Sequence, residues 1–307
     1  MKSIDWNVQD EWQPLEAVMV GIGNGMGPVP KLEETYDPQS RKHVQDGTYP
    51  LESDVTRELE AFAASLAARG IQIKRPEALG FNQVFARDIG VVIENAFIMT
   101  SMVEDREQEQ AGIARMLDGN PGPVHYPPAE VKLEGGDIMP MRGEIWVGCA
   151  SDEDFDQFTT ARTNRKAAEW LGDLFPNRKI RVFELQKSDR DPQRNALHLD
   201  CCLAPLGLGH LLVHASGFKR RGQLQDLLSQ YDSSHVCEVS AEEMERMQCN
   251  VFSLAPGTVV SDKRFERTNA IMKRWGYDVI EVELQETSKM GGLLRCATLP
   301  LRRTPIA

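Results

Sequence analysis

What this 307-residue chain lacks narrows it first. No stretch approaches the roughly 18 consecutive apolar residues of a membrane-spanning helix. The N-terminal Met1-Lys-Ser-Ile-Asp-Trp is without the apolar core of a secretory signal. The six cysteines, at 149, 201, 202, 237, 249 and 296, form no CxxC pair and no disulfide-framework spacing. Reduced thiols in a cytoplasm are therefore expected, and a structural zinc is not. There is no surplus of positive charge either. The formal net charge is −11, which argues against nucleic-acid and membrane partners, because both need clustered Lys and Arg. The one basic run, Lys219-Arg220-Arg221, reads as a solvated turn. No low-complexity block or Pro/Ser-rich linker divides the chain, so a single domain spanning 1–307 is expected.

What is present is an alternation of strands and helices. Residues 17–22 read as a strand left through a Gly-rich turn, and 25–49 as a long loop. Residues 51–69 set Leu51, Val55, Leu59, Phe62 and Leu66 on one helical stripe that Gly70 stops, and 71–73 return as a strand. Four hairpins follow, turning at Glu94-Asn95, Arg142-Gly143, Gly207 to Gly209 and Pro256-Gly257. Helices are expected after them over 107–117, 160–175, 222–231 and 265–276, and the last three lead into strands over 180–184, 236–239 and 278–282. That makes about five strand–turn–strand–helix–strand units in an α/β chain. Such units close radially about an axis or lie in an open mixed sheet.

Four short segments carry chemistry: Asn82-Gln-Val-Phe-Ala-Arg87-Asp88, Leu133-Glu134-Gly-Gly-Asp137, Leu197-His198-Leu199-Asp200-Cys201-Cys202 and Met290-Gly-Gly-Leu-Leu-Arg295-Cys296. Each has an ordinary reading. A cysteine is usually a small buried hydrophobe, Glu134 to Asp137 a tight turn with solvated carboxylates, and Asp88 a salt-bridge partner of Arg87. Cys296, however, follows Gly-Gly and an arginine, so backbone approach and a nearby cation would favour its thiolate. His198 and Asp200, two apart on a strand, would share one face. That spacing also suits a divalent metal, but its usual companion ligands are missing and no metal is expected. Cys201 and Cys202 read as packing residues, and His210 and His214 as hairpin residues.

In order along the chain, these segments resemble the guanidino-group-modifying superfamily, which includes arginine deiminase, dimethylarginine dimethylaminohydrolase and arginine:glycine amidinotransferase. The N-terminal Glu11-Trp-Gln-Pro-Leu-Glu-Ala-Val-Met-Val-Gly21 and Ile73-Lys-Arg-Pro76 are similar to the amidinotransferases. Cys249-Asn-Val-Phe-Ser-Leu-Ala-Pro-Gly257 and Gly291-Gly-Leu-Leu-Arg-Cys-Ala-Thr-Leu-Pro300 look more like the deiminases. The resemblance implies a five-bladed pseudo-symmetric α/β propeller, the pentein fold, with its site on the axis. It implies Cys296 as nucleophile, His198 as general acid/base, Glu134 as its acidic partner, and Asp88 and Asp200 as the carboxylates gripping a guanidinium. Asn82 resembles a residue near the amino-acid end of the substrate, and Arg106 and Arg162 fall roughly where arginines hold an α-carboxylate.

The implied substrate is a small cationic guanidino or ureido compound such as arginine, a methylated arginine or citrulline, handled without a cofactor. Water attacking the covalent intermediate gives a hydrolase and an amine gives an amidinotransferase. Glu134 favours the hydrolase, since the amidinotransferases carry Asp at that position. The chain lacks the long insertion of arginine deiminases between its first and second segments, which departs from that enzyme's pattern. A binding protein that keeps the pocket without chemistry is the non-catalytic alternative, and a homodimer is the default assembly on frequency alone.

Overall fold

The computed structural model describes residues 4–120 and 122–304, so Met1, Lys2 and Ser3 of the N-terminal segment lie outside the described residues. Within them are five three-stranded sheets. The second consists of β3 (Gly90–Ile93), β4 (Ala96–Met99) and β5 (Val124–His125), and the third of β6 (Ile138–Met141), β7 (Glu144–Cys149) and β8 (Lys179–Glu184). The fourth holds β9 (Leu203–Leu206), β10 (His210–Val213) and β11 (Val236–Glu238), and the fifth β12 (Phe252–Ala255), β13 (Thr258–Asp262) and β14 (Asp278–Val282). In each, two strands form an antiparallel hairpin, and the third returns parallel to the hairpin's second strand. A parallel return needs a crossover, which is where the helices sit.

The first sheet obeys the same rule with its hairpin cut. β1 (Leu15–Val20) pairs in parallel with β2 (Gln72–Lys74) through the helix Glu52–Ala67, and antiparallel with β15 (Thr298–Arg303), the last strand of the chain. β15 was not anticipated. It completes the opening strand–helix–strand from the far end of the sequence.

Both faces of these sheets are buried, so their strands read as continuous apolar runs. On β1, Val18 and Val20 enter a cluster shared with Phe252 and Leu254 of the fifth sheet, while Ala17 and Met19 enter one shared with Val92 and Phe97 of the second. On β4 the alternation repeats: Phe97 and Met99 join the first sheet's cluster, Ala96 and Ile98 one with Ile138 and Val147 of the third. Two further clusters join third to fourth and fourth to fifth. Five sheets are thus separated by five cores in cyclic order.

Three local expectations are corrected. Residues 25–49 contain the helix Pro38–Gln45, started by Asp37, whose side chain accepts from Ser40 N at 2.8 Å, with Pro38 in the first turn. The helix expected over 107–117 is mostly a 3-10 helix, Glu104–Ile113, followed by the α-helix Ala114–Asp118. A 3-10 turn stacks residues three apart, and here that aligns Arg106 with Glu109. The helix expected from 160 begins at Arg165, because the Asn164 side chain caps it through Ala167 N.

The chain enters the hairpins of sheets two to four through short helical turns: Ala86–Ile89 before β3, Gly135–Asp137 before β6 and Leu199–Cys202 before β9. Irregular backbone around residues 250 and 296 precedes β12 and β15. These five entrances are hydrogen-bonded to one another in a closed circuit. Arg87 N donates to Cys296 O (2.9 Å), Gly136 N to Asp88 Oδ1 (3.2 Å) and Leu199 N to Asp137 Oδ1 (2.9 Å). Asn250 Nδ2 then donates to Asp200 O (3.3 Å), and Cys296 N to Asn250 Oδ1 (3.1 Å).

Candidate active site

This circuit gathers the residues of all four chemical segments. Asp88, Glu134, His198, Asp200 and Cys296 are each no more than 3% exposed. The glycines make the approach possible. A Cβ on Gly136 would sit 2.6 Å from His198 Nδ1, and one on Gly135 would sit 2.0 Å from the Arg87 carbonyl oxygen. Backbone without side chain is what lets the imidazole lie flat on the Glu134 turn.

His198 caps the turn Leu199–Cys202. Its segment is a helical turn and not the strand expected, so His198 and Asp200 do not share a face. His198 Nε2 meets Glu134 Oε2 at 2.8 Å, and Nδ1 stands 3.6 Å from Asp88 Oδ1. Burial alone would discharge the imidazole, but Asp88, Glu134 and Asp137 together raise its pKa to about 9. Burial likewise opposes ionised Glu134, yet His198, Arg162 and Arg106 bring it down to about 2. The pair is an imidazolium and a carboxylate.

The thiol side differs. Cys296 Sγ lies 3.6 Å from Asp200 Oδ2 and accepts from Asn250 Nδ2 at 3.2 Å. Burial, with Asp200, Cys201 and Asp88 nearby, pushes the thiol well above its ordinary pKa. Arg295 does not activate it, contrary to the sequence reading. Its guanidinium is spent on Glu11 (3.0 Å twice), Asp200 Oδ2 (2.9 Å) and the carbonyls of Gly136 and Ile138. Asn250 is the residue that sequence reasoning missed. It stands two positions before its hairpin, as Asp88 does before Gly90 and Cys296 before Thr298; that shared position was the available signal. Cys201 and Cys202 pack into different cores, as expected.

Arg106 and Arg162 do reach the site, but neither is free to hold a carboxylate. Arg106 donates from Nε and Nη2 to Glu109 (2.8 and 2.7 Å) and from Nη1 to Asp88 Oδ2 (2.8 Å). Arg162 donates to the carbonyls of Thr159, Ala161 and Tyr36, and its Nε faces Glu134 Oε2 at 3.6 Å. Both orient the acidic partner of His198. Asn82 lies apart, on the wall of a cavity of about 260 Å³ whose other walls include Tyr36, Asp37, Tyr49, Glu109 and Met290. Cys296 and His198 do not line that cavity; it abuts the site through Glu109, which Arg106 ties to Asp88.

Among the described residues one group could ligate a metal: atoms of Asp88, Glu134 and His198 lie within 4.8 Å of one another. The arginines already supply the positive charge there, with Arg106 2.8 Å from Asp88 and Arg162 3.6 Å from Glu134. A divalent ion would be repelled by both, so the donor set does not fit one.

Comparison with known proteins agrees with the resemblance read from the sequence. Residues 233–303 match the family model described as arginine deiminase. A 222-residue stretch is 28% identical to the uncharacterized protein YkgA of Bacillus subtilis, covering 72% of this chain and 70% of that one. An arginine deiminase of Listeria monocytogenes is 25% identical over 72% of this chain, but the match spans only 61% of that enzyme. An L-arginine:L-lysine amidinotransferase of Pseudomonas savastanoi is 23% identical, over 95% of this chain and 93% of its own. Among solved structures, an amidinotransferase of Microseira wollei aligns with a TM-score of 0.76 at 21% identity, over 99% and 98% of the two chains. The N-terminal domain of a cyanobacterial arginine dihydrolase aligns at 0.75 and 15% identity, over 94% and 98%. The fold is that of the pentein amidinotransferases and dihydrolases, and the homologues are enzymes of guanidino-group transfer or hydrolysis. No helix among the described residues is long and apolar enough to cross a membrane.

Proposed function

We propose that this chain is a metal-independent hydrolase of a C–N bond in the guanidino or ureido group of an arginine-like substrate, working through a covalent bond to Cys296. We further infer that it folds as one domain, a five-bladed propeller with this site on its axis; the five cores in cyclic order and the closed circuit of turns support that closure. The single observation that carries the activity is the convergence of five distant turns on one sealed centre, where a thiol, an imidazolium and two carboxylates meet.

The chemistry follows from that centre. A planar guanidinium presents N–H donors that match paired carboxylates; Asp88 stands 3.6 Å from His198 Nδ1 and Asp200 3.6 Å from Cys296 Sγ. Each retains acceptor capacity beyond its arginine partner. The bound cation offsets the two carboxylates that keep Cys296 protonated, so the thiol gives its proton up to water when substrate arrives and regains one when product leaves. Sγ then bonds to the guanidinium carbon, and the tetrahedral adduct expels one nitrogen, which takes its proton from His198. A Cys296 thiouronium remains. Neutral His198 next takes a proton from water as that water adds to the carbon, and the C–S bond breaks to release the ureido product. Glu134, held by Val103 N and by Arg162, keeps the imidazole in place throughout.

A specific observation favours a second reading. The amidinotransferases match almost end to end in both chains, whereas the deiminase match leaves over a third of that enzyme uncovered. An amine in place of water would complete the transfer. The test is a screen of guanidino and ureido compounds for released ammonia or amine, with and without acceptor amines, with mass spectrometry of protein quenched during turnover. An adduct on Cys296 with acceptor-independent release is expected. Release only in the presence of an amine replaces hydrolase by transferase, and saturable binding without adduct or product identifies a binding protein.

A further inference from the structure

The cavity of about 260 Å³ beside the site is lined by ionisable groups of a single kind. Glu34, Asp37, Asp105 and Glu109 contribute carboxyls and Tyr36 and Tyr49 phenols, and among the described residues no lysine, arginine or histidine lines it. Its walls touch the catalytic cluster from two directions. Glu109 is clamped by Arg106, whose remaining arm holds Asp88, and the Tyr36 carbonyl accepts from Arg162, whose Nε faces Glu134. Met290, also on the wall, begins the Gly291-Gly292 approach to Cys296. A linear molecule whose guanidino carbon lies at Cys296 would run its other end into this space.

Arg106 and Arg162, where an α-carboxylate was expected to bind, are turned to internal partners, as described above, and neither lines the cavity. We propose, resting on the guanidino-hydrolase reading, that the cavity selects substrates whose far end is an ammonium: guanidinoalkylamines, in preference to guanidino acids. Two observations support this. The cavity offers carboxylates to an ammonium, and among the described residues it offers a carboxylate no lysine, arginine or histidine on its walls; the Tyr36 ring is already faced by Arg106, 5.9 Å from its centroid. A like charge facing Glu34, Asp37 and Asp105 is disfavoured, while Glu109, pushed up to about 7 by burial and bound at both oxygens by Arg106, adds less to that repulsion. Arginine itself, with both groups at that end, ranks between the two. The volume, at the lower bound of small-molecule pockets, suits a short unbranched chain.

The experiment compares kcat/KM for 4-guanidinobutylamine and 4-guanidinobutanoate, which match in length and differ in terminal charge. A preference for the amine of at least about tenfold is expected. Asp37→Asn keeps the side-chain oxygen that caps the helix Pro38–Gln45 and removes one negative charge, and it is expected to narrow the ratio several-fold. Equal turnover of both compounds, or preference for the acid, overturns the proposal while leaving the hydrolase reading standing. An unchanged ratio in Asp37→Asn, checked for native folding by its thermal transition, also overturns it. If neither compound nor arginine reacts and no adduct forms on Cys296, the hydrolase reading fails, and this inference with it.

Discussion

The imidazole side and the thiol side of the centre are built on opposite electrostatic plans. Around His198 every charge is answered: Glu134 and Asp88 face the ring, and Arg106 and Arg162 face those carboxylates. Around Cys296 the thiol meets a carboxylate, an amide and, among the described residues, no free cation, since Arg295 is turned toward Glu11 and Asp200. The first side holds its ionised form in advance, and the second waits in its neutral form. The difference teaches that the missing charge is the substrate's own. A buried thiolate without a counterion is costly, so the reactive state is populated when a cation enters and is suppressed otherwise.

The largest way to break this comparison is to delete the waiting group. Cys296→Ala is expected to lower turnover of any guanidino substrate by at least about 10⁴-fold, since removal of a covalent nucleophile leaves only binding and positioning, and to abolish the adduct seen by mass spectrometry. Its thermal transition should stay near the parent's, because a thiol-to-methyl change removes little buried surface. Next comes the side that is ionised in advance. Arg106→Met strands Asp88 and Glu109 in a buried setting and should cost about 3–5 kcal/mol of stability, read by urea unfolding. A loss under 1 kcal/mol would show that the carboxylates there are not held charged.

Glu134→Gln tests the same side more gently. It removes the partner that raises His198 and should lower turnover about 10²- to 10³-fold, with the imidazole titrating well below about 9 by NMR. The sign for stability follows from the raised folded pKa of His198, which lies above the ordinary 6.5. Its contribution is fully present below pH about 6.5 and is lost as pH rises through about 9. Parent stability should therefore fall between those limits, and the fall should shrink in Glu134→Gln. Equal slopes in the two proteins would contradict the ionised pair.

How much of this could be read from residues alone depends on whether the deciding partner is local. Asp88, Glu134, His198, Asp200 and Cys296 stand out because each sits in a short segment of distinctive composition, two of the segments carrying paired glycines, and four such segments in a fixed order narrow the possibilities. Hairpins were visible wherever apolar runs flanked a turn, as at Arg142-Gly143 between β6 and β7. β15 was not, because its partner β1 lies at the opposite end of the chain. The arginines show the same limit. Position pointed to Arg106 and Arg162, but whether their N–H groups face a ligand or Glu109 and backbone carbonyls is settled by tertiary packing. The helical turn at Leu199–Cys202 escaped for that reason too: its β-favouring neighbours read as strand, while the Asp137 carboxylate, accepting from Leu199 N, pulls the backbone into a turn.

The smallest expected effect sharpens the comparison most, because it separates holding the thiol from charging it. Asn250 accepts from Cys296 N at 3.1 Å and donates to Sγ at 3.2 Å. A donor to sulfur stabilises the thiolate over the thiol, so Asn250→Ala should lower turnover about tenfold and shift the pH midpoint of Cys296 alkylation upward. Asn250→Asp keeps the oxygen that receives Cys296 N, but sets a third carboxylate beside Asp200 and Asp88. Its midpoint should move further up than that of the alanine variant, although its side chain matches the parent in shape. If the order is reversed, with alanine worse than aspartate in the alkylation profile, then Asn250 acts by fixing the rotamer of Cys296 and the electrostatic account of the thiol side fails. If aspartate is worse, charge governs that side, and the cation that relieves it in the cycle is the substrate.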